Sequence, residues 1–146
     1  MLGELNQRQT EQVLRSEVIG RIGCVAEGRV YVVPITYAYD GTCVYGHSVD
    51  GVKLRAMRVD PDVCFEVEHV DNLANWQSVI AWGTFEELEG EESEAGMRLL
   101  VDRLMPVLVS STSGPPHGEN PGASAADHAT VYRIRLGERT GRFEKH

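Results

Sequence analysis

The sequence predicts a mainly β protein: a six-stranded antiparallel β-barrel with flanking helices packed outside it. Three observations carry that expectation. Runs rich in β-branched and aromatic residues recur along the chain. Turn signals such as Asp40-Gly41 join them at hairpin spacing. Helical stretches are few and do not alternate with strands, which argues against a parallel βαβ sheet.

Taken in order, residues 6–17 read as a short helix with a partial apolar stripe of Leu5, Val13 and Leu14. Residues 21–26 form a short β-like run, turned by Glu27-Gly28-Arg29. Residues 30–39 (VYVVPITYAY) are a strong strand, returned by 42–46. Pro34 interrupts the long strand, and a residue without an N–H marks a sheet edge or a bulge. Residues 50–59 look helical, with Leu54 and Met57 inward, and Asp60-Pro61 ends the helix. In 63–70, Val63, Phe65 and Val67 alternate with Cys64, Glu66 and Glu68, as in a strand with one wetter face. After a loop at 71–75, residues 76–88 form a long strand kinked at Gly83. Residues 91–105 are the longest helix, with acidic residues in its first turn and a stripe of Met97, Leu100, Val101 and Leu104. Pro106 ends or kinks it. The Ser-, Gly- and Pro-rich stretch 110–127 reads as a flexible loop, either a lid or plain disorder. Residues 130–136 are a final strand, and 140–145 have room for one more.

With 146 residues the chain is expected to be one domain, 1–146. The opening residues lack the apolar core of a signal peptide, and no stretch is long and apolar enough to span a bilayer, so a cytoplasmic location is expected. The net charge of −8 weakens any reading as a nucleic-acid or anionic-membrane binder. Cys24, Cys43 and Cys64 each sit in an apolar run and read as buried thiols of a reducing compartment. No paired Cys or His spacing suggests a metal site.

The most informative stretch is Tyr45 to Lys53, YGHSVDGVK, where a strand meets a helix start. Unpaired N–H groups, the Ser48 hydroxyl, the permissive Gly51 and the Lys53 ammonium could together cradle a phosphate. The same residues also suit a plain helix cap. His47 lies at the mouth of this cradle; it is either a structural histidine or the best-placed proton donor. Trp76, Gln77 and Ser78 could frame a planar heterocycle, or simply pack in the barrel.

In their order and spacing, GRIGCVAEGRVYVVPITYAYDGTCVYGHSVDGVKLRAMRVDPDVCFEV, NWQSVIAWGTFEEL and VYRIRLGERTGR resemble the pyridoxamine 5′-phosphate oxidase-related FMN-binding split-barrel family. The nearest branch resembles nitroimidazole-resistance proteins. The resemblance implies an FMN-binding split barrel that pairs as a homodimer, with two flavin sites at the subunit interface. It implies that Val32, Val33, Pro34, Ile35 and Thr36 line the flavin ring, and that Tyr45, Gly46, His47 and Ser48 lie beside the ring or ribityl chain. Lys53 would bind the phosphate, while Trp76, Gln77, Ser78 and Val79 would approach from the other subunit. The position before Lys53, basic in pyridoxamine phosphate oxidases, is Val52 here, and only Arg142 offers a match to their substrate-phosphate residues. The implied function is therefore a flavin-dependent oxidoreductase taking electrons from a reduced nicotinamide to a small acceptor such as a nitro-compound or quinone. The alternatives are a non-catalytic flavin or haem-binding, redox-sensing module and a deazaflavin (F420)-dependent reductase.

Overall fold

Asn6 and Gln9 form a capping box: each side chain accepts from the other's backbone N–H at 2.9 Å. That box starts helix α1, Gln7–Ser16, whose Val13 and Leu14 are buried. A computed structural model describes residues 1–111 and 129–146, the side chains of 109–111 excepted. The segment 110–127, read above as a flexible loop, lies outside the described residues except for the helical backbone at 110 and 111.

Eight strands and three helices are described. The strands are β1 (Leu2–Glu4), β2 (Ile19–Ala26), β3 (Arg29–Thr36), β4 (Ala38–Tyr39), β5 (Cys43–Ser48), β6 (Asp62–Asn72), β7 (Asn75–Glu87) and β8 (Thr130–Glu144). The other helices are α2, Val52–Val59, and α3, Gly90–Ser111. All pairings are antiparallel, in the order β3-β2-β6-β7-β8-β5-β4, with β1 added beside β8. Ile35 of β3 and Val44 of β5 come from opposite ends of this order, yet both belong to one buried cluster with Ile22, Phe65, Val79 and Ile134. The sheet therefore curls around a common core, as the predicted barrel requires. Helices α1 and α2 contribute Leu14, Leu54 and Met57 to the same cluster.

The strand count exceeds the expected six because two short strands were not foreseen. Strand β1 lacks the apolar alternation that marks a strand; its Leu2, Gly3 and Glu4 are held by the end of β8. The run 30–39 is not one strand but breaks at Tyr37. Burying that residue turns the chain, with the Tyr37 hydroxyl donating to Leu14 O at 2.7 Å and its N–H to Val18 O. Conversely, 130–136 and 140–145 merge into the single long β8. The expected loop at 71–75 shrinks to a tight hairpin turn at Leu73-Ala74. At Asp40-Gly41 the hairpin forms as expected, with Asp40 Oδ1 accepting from the backbone N–H groups of Thr42 and Cys43.

Gly83 does mark an irregularity, a register shift between β7 and β8 after Ala81. A Cβ there would lie 2.5 Å from the carbonyl oxygen of Arg135, so the close approach requires glycine. Helix α3 continues through Pro106 to Ser111. In its predicted stripe Leu100 is buried, but Val101 is exposed, because only one side of α3 meets β5 and β8. Cys24 and Cys43 are buried as expected; Cys64 is half-buried, because it points outward from β6. No helix among the described residues is long and apolar enough to cross a membrane.

Candidate functional site

Strand β3 carries Val32 to Thr36 on an edge of the sheet: one side of its backbone pairs with β2 and, among the described residues, the other has no strand. The ladder runs unbroken from Ile19↔Thr36 to Ala26↔Arg29, so Pro34 marks an edge and not a bulge. Val33 packs partly buried against the core and Ile35 is buried. Val32, Pro34 and Thr36 point outward.

Across the curl, β5 brings Tyr45, Gly46, His47 and Ser48 opposite Arg133, Tyr132, Val131 and Thr130 of β8. Gly46 is buried beneath the Tyr132 ring; a Cβ there would meet the phenol oxygen at 2.5 Å. Tyr132 is fully buried, and its hydroxyl is the one buried side-chain polar atom among the described residues with no hydrogen-bond partner. An orphaned hydroxyl in such a place costs about 1–3 kcal/mol of desolvation. Burial pushes its pKa well above the ordinary tyrosine range.

Helix α2 begins beside these residues. Gly51 is its N-cap and supplies no side-chain cap. The two polar groups that could have capped it are engaged elsewhere: the Ser48 hydroxyl donates to Val49 O at 2.9 Å, and Asp50 pairs with Arg58 at 3.1 Å. The plain-cap reading of the Tyr45–Lys53 stretch therefore fails, and the first-turn N–H groups are left without a side-chain acceptor.

Lys53, in that first turn, is half-buried, and its Nζ lies 5.8 Å from the centroid of the Tyr132 ring. Among the described residues no carboxylate comes within ion-pair distance of it. Burial lowers its pKa, opposed by Cys24, whose own thiol is pushed up mainly by burial. The surrounding protein and then the Lys53 ammonium lower the pKa of His47, so its imidazole is mostly neutral at neutral pH. An unpaired ammonium, an uncapped helix start and an orphaned hydroxyl thus adjoin one another in a chain of net charge −8. Their donor chemistry suits an anionic oxygen-rich group such as a phosphate.

Tyr45 is set apart from this by its own partner, since its hydroxyl donates to Asp40 Oδ2 at 3.0 Å. Burial and then Asp40 raise its pKa.

Trp76, Gln77, Ser78 and Val79 open β7, with Val79 fully buried and the other three half-buried. They pair with Glu144, Phe143, Arg142 and Gly141 of β8. Tyr132 and Arg142 are ten positions apart in β8, roughly 33 Å of extended chain. One chain therefore brings Gly46, His47, Lys53 and Tyr132 together but leaves the Trp76–Val79 group at the opposite end of the same strand. Trp76 and Gln77 line a cavity of about 460 Å³ with His69 and Phe143. Arg142 lines a separate cavity of about 770 Å³ with Thr10, Glu11 and Arg139. Tyr132 was not singled out in the sequence, because a tyrosine in VYRIRL looks like any other strand residue.

A family model described as pyridoxamine 5′-phosphate oxidase matches residues 6–143. An uncharacterized protein of Rhizobium meliloti is 30% identical over 84 residues; the match covers 58% of this chain and 56% of the length of that curated relative. Among solved structures, a FAD-binding protein from Mesorhizobium loti is similar at 25% identity and a TM-score of 0.80, covering 99% of both chains. A candidate 5-nitroimidazole antibiotic resistance protein from Bacteroides thetaiotaomicron is 19% identical with a TM-score of 0.73, covering 98% of this chain and 87% of that one. The FAD and heme binding protein from Mycobacterium smegmatis is 14% identical with a TM-score of 0.73, covering 99% and 74%. The last two likenesses are of fold alone.

Proposed function

Because the chain belongs to the pyridoxamine 5′-phosphate oxidase family, we propose that it binds a flavin as FMN, with the phosphate at Lys53, and acts as a flavin-dependent oxidoreductase on a small acceptor. The observation that carries this reading is Lys53 itself: a half-buried cation without a carboxylate partner, at an uncapped helix start beside the orphaned Tyr132 hydroxyl. When bound, the flavin supplies the electron-transfer chemistry; the protein supplies binding, orientation and electrostatics.

The chain's own residues have distinct roles in this reading. Lys53 and the first-turn N–H groups of α2 hold the phosphate. Gly46 lets a ligand approach the backbone closely, and the Tyr132 hydroxyl gains the partner it lacks. The free backbone edge of β3, at Val32 to Thr36, offers donors and acceptors to a planar ring. The His47 imidazole, mostly neutral, can donate a hydrogen bond from whichever nitrogen carries its proton. Trp76, Gln77, Ser78 and Val79 complete the site from a second copy of the chain, because within one chain they lie at the far end of β8. Electrons come from a reduced nicotinamide, and the acceptor is a nitro-compound or quinone.

FMN titration followed by fluorescence tests the site. Lys53→Ala should weaken binding by about 1.5–3 kcal/mol, the range for a charge-assisted hydrogen bond. Equal affinity in wild type and variant places the phosphate elsewhere. Consumption of NADH or NADPH with nitro-aromatic and quinone acceptors, no faster than with free FMN, would reduce the reading to a flavin-binding module.

A further inference from the structure

Lysine is rare in this chain: the sequence holds two, Lys53 and Lys145. Lys145 is exposed near the end of the chain, as most lysines are. Lys53 is half-buried, and among the described residues it has no carboxylate partner. Taking an ammonium out of water favours its neutral form. Burial lowers the Lys53 pKa accordingly, against a smaller rise from Cys24. The neutral amine is a nucleophile as well as a base.

Two donor groups adjoin this amine. Gly51 caps α2 without a side chain, so the N–H groups of its first turn are open to a phosphate. The Tyr132 hydroxyl is fully buried with no hydrogen-bond partner, and Lys53 Nζ lies 5.8 Å from the centroid of its ring. Burial holds the Tyr132 pKa far above neutrality, so the hydroxyl keeps its proton and is a donor. Gly46, where a Cβ would lie 2.5 Å from the phenol oxygen, leaves that oxygen uncovered on its side.

We propose that Lys53 is a covalent capture site for a small aldehyde that carries a phosphate. The proposal rests on the phosphate cradle described above and not on the flavin. The phosphate docks on the first-turn N–H groups of α2, which holds the carbonyl carbon against the amine and raises its effective concentration there. The Lys53 nitrogen forms a bond to that carbon, and the carbonyl C–O double bond becomes a single bond. The Tyr132 hydroxyl donates to the oxygen as it gains charge. The oxygen then leaves as water, with both of its protons taken from the amine, and a C=N double bond remains. Nothing is oxidised or reduced. Once protonated, the imine keeps a positive charge beside the phosphate. The adduct stands where the FMN phosphate would, so capture and flavin binding exclude each other.

The full-length protein, incubated with glyceraldehyde 3-phosphate and sodium cyanoborohydride, tests this. The hydride donor reduces the imine to a stable secondary amine. Peptide mass spectrometry then reads the labelling rate at Lys53, at Lys145 and at the Met1 amine. Lys53 should be labelled at least about tenfold faster than with glyceraldehyde, the least that one charge-assisted hydrogen bond to the phosphate supplies. Lys145 and Met1 should show no such gain, and inorganic phosphate should cancel the gain at Lys53.

Equal rates at Lys53 with the two aldehydes, or an equal gain at Lys145, overturns the proposal. FMN titration of the same protein separates it from the flavin reading. FMN that binds while Lys53 shows no phosphate-dependent label sinks the capture site alone. A phosphate-dependent label at Lys53 in a protein that takes up no FMN sinks the flavin reading alone.

Discussion

Tyr132 shows what a single residue contributes. Its hydroxyl is buried without a partner, over a glycine that leaves it room and beside a lysine that leaves it no counter-charge to bond. If that hydroxyl exists for a ligand, Tyr132→Phe should separate two properties that usually move together. Stability of the ligand-free protein should hold or rise by about 1 kcal/mol, because a desolvated polar atom is removed. FMN affinity should fall about two- to tenfold, the net value of a neutral hydrogen bond. Thermal melts without FMN and fluorescence titration with it make the comparison; an unchanged affinity would leave the hydroxyl without a role. Lys53 and Gly46 were legible in the sequence because charge and glycine at a strand–helix junction carry meaning by type. Tyr132 was not, because its importance lies in what it fails to contact.

At the scale of elements, strands with their own periodicity were legible and those made by partners were not. The alternation of Val63, Phe65 and Val67 fixed the inward face of β6, and the structure buries all three. Strand β1 has no pattern of its own and exists through the end of β8. The two runs expected at 130–136 and 140–145 become one strand because β7 pairs continuously along both, apart from a single register shift. The candidate site followed the same division. The Tyr45–Lys53 junction was local in sequence, whereas the separation of Trp76–Val79 from it depends on the length of β8.

The β6–β7 hairpin that carries Trp76 is tied back to α1 by His69. Its Nδ1 lies 3.1 Å from Glu17, and its Nε2 lies 3.0 Å from Asp71. The Glu17 hydrogen bond and then Asp71 raise its pKa. The tie therefore contributes fully below the ordinary histidine value and is lost as pH rises through the raised one. Chemical denaturation of wild type and His69→Gln should show a wild-type advantage in mildly acidic solution that disappears in mildly alkaline solution. An advantage independent of pH would mean that packing, not charge, holds the hairpin.

Over the whole molecule, one core is shared by both ends of the strand order, and this closes the curl without closing the ladder. Barrel architecture was legible because hairpin signals and the lack of βαβ alternation leave few other ways to bury the apolar faces. The open ladder was less so, since apart from a proline, which fits an edge or a bulge alike, only the full pairing says which strand is left at the edge. Pro34 was the one residue that announced it.

That open edge has a consequence for the behaviour of the protein at high concentration. Among the described residues, strand β3 presents a backbone edge with no strand beside it at Val30, Val32 and Val33, the combination that seeds edge-to-edge stacking and fibrils. Pro34 interrupts the row of donors and acts as a gatekeeper. Pro34→Val should leave the fold near wild type but shorten the lag of thioflavin-T-positive aggregation on mild heating; an unaltered lag would mean that another part of the surface guards solubility. A residue first noticed as a flaw in a strand would then be what keeps one sheet from recruiting the next.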